Sequence, residues 1–146
     1  MKTAICYYSR HHGNTLKVLE AMAEEKDVDL FDVTSHAAAH LEQYDAVGFA
    51  SGIYYGKFHD SVVSFARYLP EGKNVFFVYT CGSKRGNYTK AIVEAVVAKR
   101  ANILGEYGCR GYDTFGPFKL VGGIAKGHPN ADELQKAKEF YRSICK

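Results

Sequence analysis

Residues 4–25 read A-I-C-Y-Y-S-R-H-H-G-N-T-L-K-V-L-E-A-M-A-E-E, and this stretch decides the fold. Ala4 to Tyr8 form a short apolar run of the kind a buried parallel strand shows. After Thr15, Leu16, Val18, Leu19, Met22 and Ala23 recur at helical spacing, with Lys17, Glu20, Glu24 and Glu25 on the other side. Ser9 to Thr15 is therefore a loop that leaves a strand end and opens a helix.

Such a loop is suited to an anion. The first N–H groups of a helix lack intrahelical partners, and the helix dipole adds partial positive charge at the same end. Ser9, Asn14 and Thr15 carry donors for phosphate oxygens, Gly13 permits a close backbone approach, and Arg10, His11 and His12 add possible positive charge. The same residues also suit a plain helix N-cap, with Asn14 or Thr15 satisfying the first turn. Neither G-x-x-x-x-G-K-[ST] nor G-x-G-x-x-G occurs.

Downstream, the pattern repeats. Val28, Leu30, Phe31 and Val33, interleaved with Asp27, Asp29 and Asp32, predict a half-exposed strand. Ser35 to Gln43 predicts a short helix or loop, in which His36 and His40 have metal-ligand spacing but no third ligand pattern. Ala46 to Ala50 predicts a central strand ending at Ser51-Gly52, and Ile53 to Asp60 a loop. Val62, Val63, Phe65, Ala66 and Leu69 continue as a helix stopped by Pro70. Asn74 to Thr80 is the clearest strand, followed by the loop Cys81 to Tyr88 and a helix through Ala91, Ile92, Ala95 and Val96. Ile103 to Cys109 predicts a fifth strand. Arg110 to His128, with five glycines and one proline, reads as a long functional or partly structured connection. The last helix begins after Pro129, capped by Asn130.

Strands alternating with helices demand a parallel sheet with helices on both faces, an α/β doubly wound fold. The 146 residues fit one domain spanning 1–146. In the strand order 2-1-3-4-5, the loops Ser9 to Thr15, Ser51 to Asp60 and Cys81 to Tyr88 meet at the carboxyl ends of neighbouring strands, at the topological switch point where ligands bind.

Composition narrows the function. With 47% hydrophobic and 24% charged residues the chain is ordinary for a globular protein. No apolar run approaches the roughly 20 residues that span a bilayer, so membrane insertion is not expected and a cytoplasmic location is. Cys6, Cys81, Cys109 and Cys145 form no C-x-x-C pair and read as reduced thiols. The net charge is +3 and the 19 Lys and Arg are scattered, giving no support for nucleic-acid binding.

Taken together, these residues resemble the flavodoxin family over essentially the whole chain. Y-Y-S-R-H-H-G-N-T is similar to that family's phosphate loop for flavin mononucleotide (FMN), with one extra residue and with Arg10-His11-His12 where small hydroxylated residues are usual. The resemblance implies a flavodoxin-like five-stranded sheet and FMN as cofactor. It also implies that Ser51, Gly52, Ile53, Tyr54, Tyr55 and Gly56 lie on one side of the flavin ring, with Thr80, Cys81, Gly82, Gly86, Asn87 and Tyr88 on the other. Tyr54 or Tyr55, and Tyr88, are the stacking candidates. Cys81 is either a redox-sensitive thiol or a small apolar residue at a strand end.

The implied function is electron transfer to a redox partner protein or a small-molecule electron acceptor, with the oligomeric state left open. S-G-I-Y-Y-G-K-F-H also resembles the corresponding loop of flavodoxin-like protoporphyrinogen and quinone oxidoreductases, so an FMN-dependent oxidoreductase is the alternative. A flavin-free receiver-type module is disfavoured, because the third strand ends in Ala50-Ser51 rather than in Asp. Lys57, His59, Lys84 and Arg85 fall in the two ring loops, opposed mainly by Asp60. A unit charge at about 8 Å and an effective dielectric of about 20 is worth roughly 2 kcal/mol, on the order of 90 mV for one electron, so a raised flavin potential is expected.

Overall fold

The computed structural model describes residues 1–10, 12–25, 27–35, 40–83, 86–112 and 123–145. Among them the elements run β1 (Thr3–Tyr8), α1 (Asn14–Met22), β2 (Val28–Asp32), β3 (Ala46–Tyr54), β4 (Lys57–Phe58), α2 (Asp60–Phe65), β5 (Asn74–Cys81), α3 (Lys90–Val97), β6 (Asn102–Arg110) and α4 (Ala131–Ile144). Short 3-10 turns occupy Leu41–Gln43 and Ala66–Tyr68. His36 and the stretch 113–122 lie outside the described residues, and with them the His36/His40 pair and most of the long connection.

The five long strands are parallel in the order β2-β1-β3-β5-β6. Leaving aside the two-residue β4, this is the expected 2-1-3-4-5 arrangement. Period-2 alternation sends each central strand to two cores. Ala4, Cys6, Val47, Phe49, Val75 and Phe77 pack with Val62, Phe65, Ile92 and Val96 of α2 and α3. Ile5, Ala46, Ala50, Phe76 and Val78 pack with Val18, Leu19 and Met22 of α1 and Ala137 and Tyr141 of α4. Strands buried on both faces explain why the apolar runs are continuous rather than alternating.

Register then fixes the site. Tyr8 pairs with Ser51, Gly52 with Thr80, and Thr80 with Cys109, so the carboxyl ends of β1, β3, β5 and β6 finish in one row. The Tyr141 hydroxyl and the Thr3 hydroxyl share a buried 2.7 Å hydrogen bond that ties α4 to β1. At the foot of α4, Asn130 accepts from Glu133 N–H while the Glu133 carboxylate accepts from Asn130 N–H, a capping box at the expected cap.

Two local features differ from the sequence reading. Leu69 stops a 3-10 turn rather than an α-helix, which ends at Phe65. Ile53 to Asp60 is a tight hairpin rather than a loop: β3 runs on through Tyr54 and folds back so that Ile53 pairs with Phe58 and Tyr54 with Lys57. Tyr55 and Gly56 at its tip have φ of 52° and 78°, as a two-residue primed turn requires. The fully buried Phe58 anchors the return strand.

Glycine is demanded where the sheet meets large rings. A Cβ on Gly48 of β3 would lie 2.6 Å from the Phe76 ring of β5. Gly48→Ala should therefore lower the unfolding free energy by about 1–3 kcal/mol, read as a lower urea midpoint at unchanged slope. An unchanged midpoint would mean that the Phe76 ring yields without loss.

Candidate functional site

The site begins at the first turn of α1. Gly13 is its N-cap residue, with φ of 64°, and makes no side-chain cap; His12 before it also lies in the left-handed region at 58°. The alternative, capping by Asn14 or Thr15, does not occur. Ser9 reaches forward instead, its hydroxyl oxygen accepting from Leu16 N–H at 3.1 Å, which leaves its own proton available to a ligand.

Asn14 and Thr15 are thereby released inward, where they are almost wholly buried. Asn14 Nδ2 donates to the Tyr112 carbonyl at 2.7 Å, and the Thr15 and Thr80 hydroxyls lie 2.8 Å apart across the floor of the slot. Asn14 Oδ1 is the one buried side-chain polar atom left without a partner among the described residues. A buried acceptor of this kind costs free energy until a donor reaches it.

A slot opens above this floor, lined by Ser9, Asn14, Thr15, Gly52, Tyr54 and Thr80 together with Cys81, Gly82, Gly111 and Tyr112. It brings together residues from all three loops singled out in the sequence. Arg10 borders it, but its guanidinium is turned to the sheet edge, donating to Asp32 at 2.7 Å and to the Thr34 hydroxyl at 2.5 Å. Burial alone would raise the Asp32 pKa; the Thr34 and Arg10 hydrogen bonds outweigh it and hold the carboxyl below its usual range. The His12 ring lies 4.5 Å from that of Tyr112, and His11 is outside the described residues.

The hairpin supplies the second wall. Ser51, buried at the β3 bend, accepts from His59 N–H at 3.0 Å and donates to the Gly52 carbonyl. Tyr54 folds back over Gly52, where an added Cβ would stand 3.4 Å from its ring. Tyr54 thus faces the slot and Tyr55, 87% exposed, stands at the hairpin tip beside Gly56. Lys57 is paired with Asp60 at 3.2 Å, so its charge is largely offset, and Lys84 and Arg85 lie outside the described residues.

The third wall is the end of β5. Cys81 is buried, its thiol 3.6 Å from the Cys109 carbonyl, and its own carbonyl accepts from Gly111 N–H at 2.9 Å. Gly86 has φ of 92°, and Asn87 beside it is exposed. Tyr88 sits edge-on to Tyr79 and donates its hydroxyl to the Ser83 carbonyl at 2.6 Å, closing the loop on itself.

Sequence reasoning missed the fourth wall, Arg110-Gly111-Tyr112, because it lies in the stretch read as an irregular connection. A Cβ on Gly111 would fall 2.7 Å from the Asn14 amide, so only glycine lets β6 bring the Tyr112 carbonyl to Asn14. Arg110 donates twice to the Gly82 carbonyl, at 3.3 and 3.2 Å, and its backbone N–H reaches the Glu133 carboxylate. Glu133 also takes His128 at 2.5 Å. Burial opposes ionisation of Glu133, but the Asn130, His128 and Arg110 contacts prevail and depress its pKa. The usable signal was a glycine immediately beyond the last strand, like Gly82 immediately beyond β5.

A family model described as the flavodoxin domain matches residues 4–108. An uncharacterized protein of Methanocaldococcus jannaschii is 40% identical over 149 aligned residues, covering 100% of this chain and 99% of that protein. The chain belongs to the flavodoxin family. Among solved structures, a flavodoxin from the domain Archaea superposes with a TM-score of 0.67 at 18% identity, covering 99% of this chain and 96% of that one. Rubredoxin oxygen:oxidoreductase from Desulfovibrio gigas gives 0.70 at 18% identity, with 98% of this chain matched to 35% of that one. At these identities the likeness to both is one of fold.

The Thr15–Thr80 contact makes a direct prediction. Either Thr15→Val or Thr80→Val strands a buried hydroxyl and should cost about 1–3 kcal/mol, whereas the double variant should cost clearly less than the sum. Urea unfolding of the four proteins measures this; strictly additive losses would show that the two hydroxyls do not depend on each other.

Proposed function

We propose that the slot holds FMN and that this flavodoxin-family protein, a single domain working in the cytoplasm, carries electrons between redox partners. The observation that carries the reading is Asn14 Oδ1, a buried acceptor with no partner among the described residues, set at a helix start between three strand-end loops. The residues present fit the cofactor. The N-terminus of α1 and the hydroxyl of Ser9 suit a phosphate, and Asn14 Oδ1 suits a hydroxyl of the sugar-alcohol chain. Tyr54 on one side, and Thr80, Cys81 and Gly82 on the other, suit a flat ring.

Bound FMN would supply the one- or two-electron chemistry. The chain's own residues bind, orient and shield it. Arg110 fixes the Gly82 carbonyl and so holds the loop that faces the ring, while the Tyr55–Gly56 turn keeps Tyr54 folded against Gly52. Gly52, Gly56, Gly82 and Gly86 would let the backbone approach a bound ring closely, where amide donors would tune its potential. With Lys57 offset by Asp60, the raised potential expected from charge rests on Arg110 and on Lys84 and Arg85.

The alternative, an FMN-dependent oxidoreductase acting on a quinone or protoporphyrinogen-type substrate, is favoured by S-G-I-Y-Y-G-K-F-H and its hairpin. Absorbance titration with FMN followed by stepwise anaerobic reduction tests the main reading. The carrier reading expects stoichiometric binding, two separable one-electron stages and no turnover with NAD(P)H plus a quinone. Binding with rapid quinone turnover selects the alternative, and no binding at micromolar FMN rejects both.

A further inference from the structure

Beside the slot, and sharing Tyr54 with it, lies a second and roomier cleft of about 330 Å³, bounded by Tyr8, Tyr54, Tyr55, Lys57, His59 and Asp60. That volume is within the range of small-molecule sites. Three of its bounding residues form one aromatic cluster. His59 stacks face to face on Tyr8, with centroids 3.8 Å apart and planes within 9°, and Tyr54 stands edge-on to both, at 5.3 Å from His59 and 5.9 Å from Tyr8.

The protonation geometry of His59 is set by the fold. His59 is the N-cap residue of α2, and Nδ1 accepts from Ser61 N–H at 3.2 Å with the Ser61 hydroxyl at 2.7 Å. A ring nitrogen that accepts from a backbone N–H carries no proton, so in the neutral ring the proton sits on Nε2. Among the described residues Nε2 makes no hydrogen bond. Capping alone would be served by Asn, Asp or Ser. An imidazole held flat on a tyrosine adds a donor of fixed tautomer at the wall of a cleft.

Tyr55, 87% exposed, is held at the cleft's edge by the primed turn of the hairpin, at φ of 52°. Lys57 and Asp60, both bounding the cleft, pair with each other at 3.2 Å, so the rim is close to neutral and the walls are aromatic.

We propose that this cleft binds a planar, conjugated carbonyl compound, packed against the tyrosine rings and accepting a hydrogen bond from His59 Nε2. Tyr54 is shared between this cleft and the slot. The proposal rests on the oxidoreductase alternative only for what the ligand would do there, as the electron acceptor, and not for whether it binds.

The probe is anthraquinone-2-sulfonate, which has the required shape and carbonyl oxygens and does not add to thiols. Calorimetric titration of the full chain, with and without FMN, should show saturable binding to both forms. His59→Asn keeps the cap and removes the Nε2 donor; it should weaken probe binding about tenfold, as loss of one hydrogen bond implies. Tyr8→Leu should weaken it by a similar factor. Both variants should keep the wild-type circular dichroism, and the His59 Nε2 resonance should shift on adding probe to the wild type.

Equal probe affinity in His59→Asn, absence of probe binding to the wild type, or displacement of the probe by FMN would each overturn the proposal. Probe binding that depends on His59 in a protein that fails to take FMN would leave the cleft standing and remove the cofactor reading. FMN binding without probe binding would do the reverse.

Discussion

The buried contact between the Thr15 and Thr80 hydroxyls is the constraint on which the site depends. It joins the first turn of α1 to the end of β5, two elements 65 positions apart, at the point where the sheet's order reverses. Because both oxygens are removed from water, each needs the other, and the helix cannot shift along the sheet without stranding one of them. Asn14, one residue earlier, is held the same way by the Tyr112 carbonyl. The floor of the slot is thus built from side chains that a surface helix would have spent on capping, with Ser9 taking over that task from the loop.

Among the described residues, the charged groups around the slot are committed to the protein itself. Arg10 is bound to Asp32 and Thr34, Lys57 to Asp60, and Arg110 to the Gly82 carbonyl. What remains for a ligand anion among the described residues is the helix start with its hydroxyls, a fixed partial charge that needs no side-chain ordering. Arg110 links outward as well: its N–H meets Glu133, which caps α4 and receives His128, so the loop at Gly82 is braced by the last helix. Among the described residues, charge holds the walls in position, and the helix dipole faces the slot.

Much of this was legible in the residues. Continuous apolar runs at Ala4–Tyr8, Ala46–Ala50 and Asn74–Thr80 gave the buried parallel strands, and helical spacing between them gave the layer order, because both signals are local. The loops Ser9 to Thr15, Ser51 to Asp60 and Cys81 to Tyr88 were placed by counting strands. The hairpin at Tyr55–Gly56 was not seen, since Tyr is an uncommon partner for glycine in a primed turn and only the burial of Phe58 reveals the return strand. Arg10 looked like a ligand cation because its partner, Asp32, is distant in sequence and adjacent only through the pairing of β1 with β2. Gly111 and Tyr112 were hidden for the same reason: their role is a contact with Asn14 across 98 positions.

The central claim is that the α1 start is a phosphate cradle rather than a helix cap alone. Calorimetric titration with FMN and with riboflavin, which differ only in the phosphate, tests it most directly. The account predicts that FMN binds at least about a hundredfold more tightly, roughly 2.7 kcal/mol. Equal affinities for the two flavins would contradict it, leaving a ring site without a phosphate site.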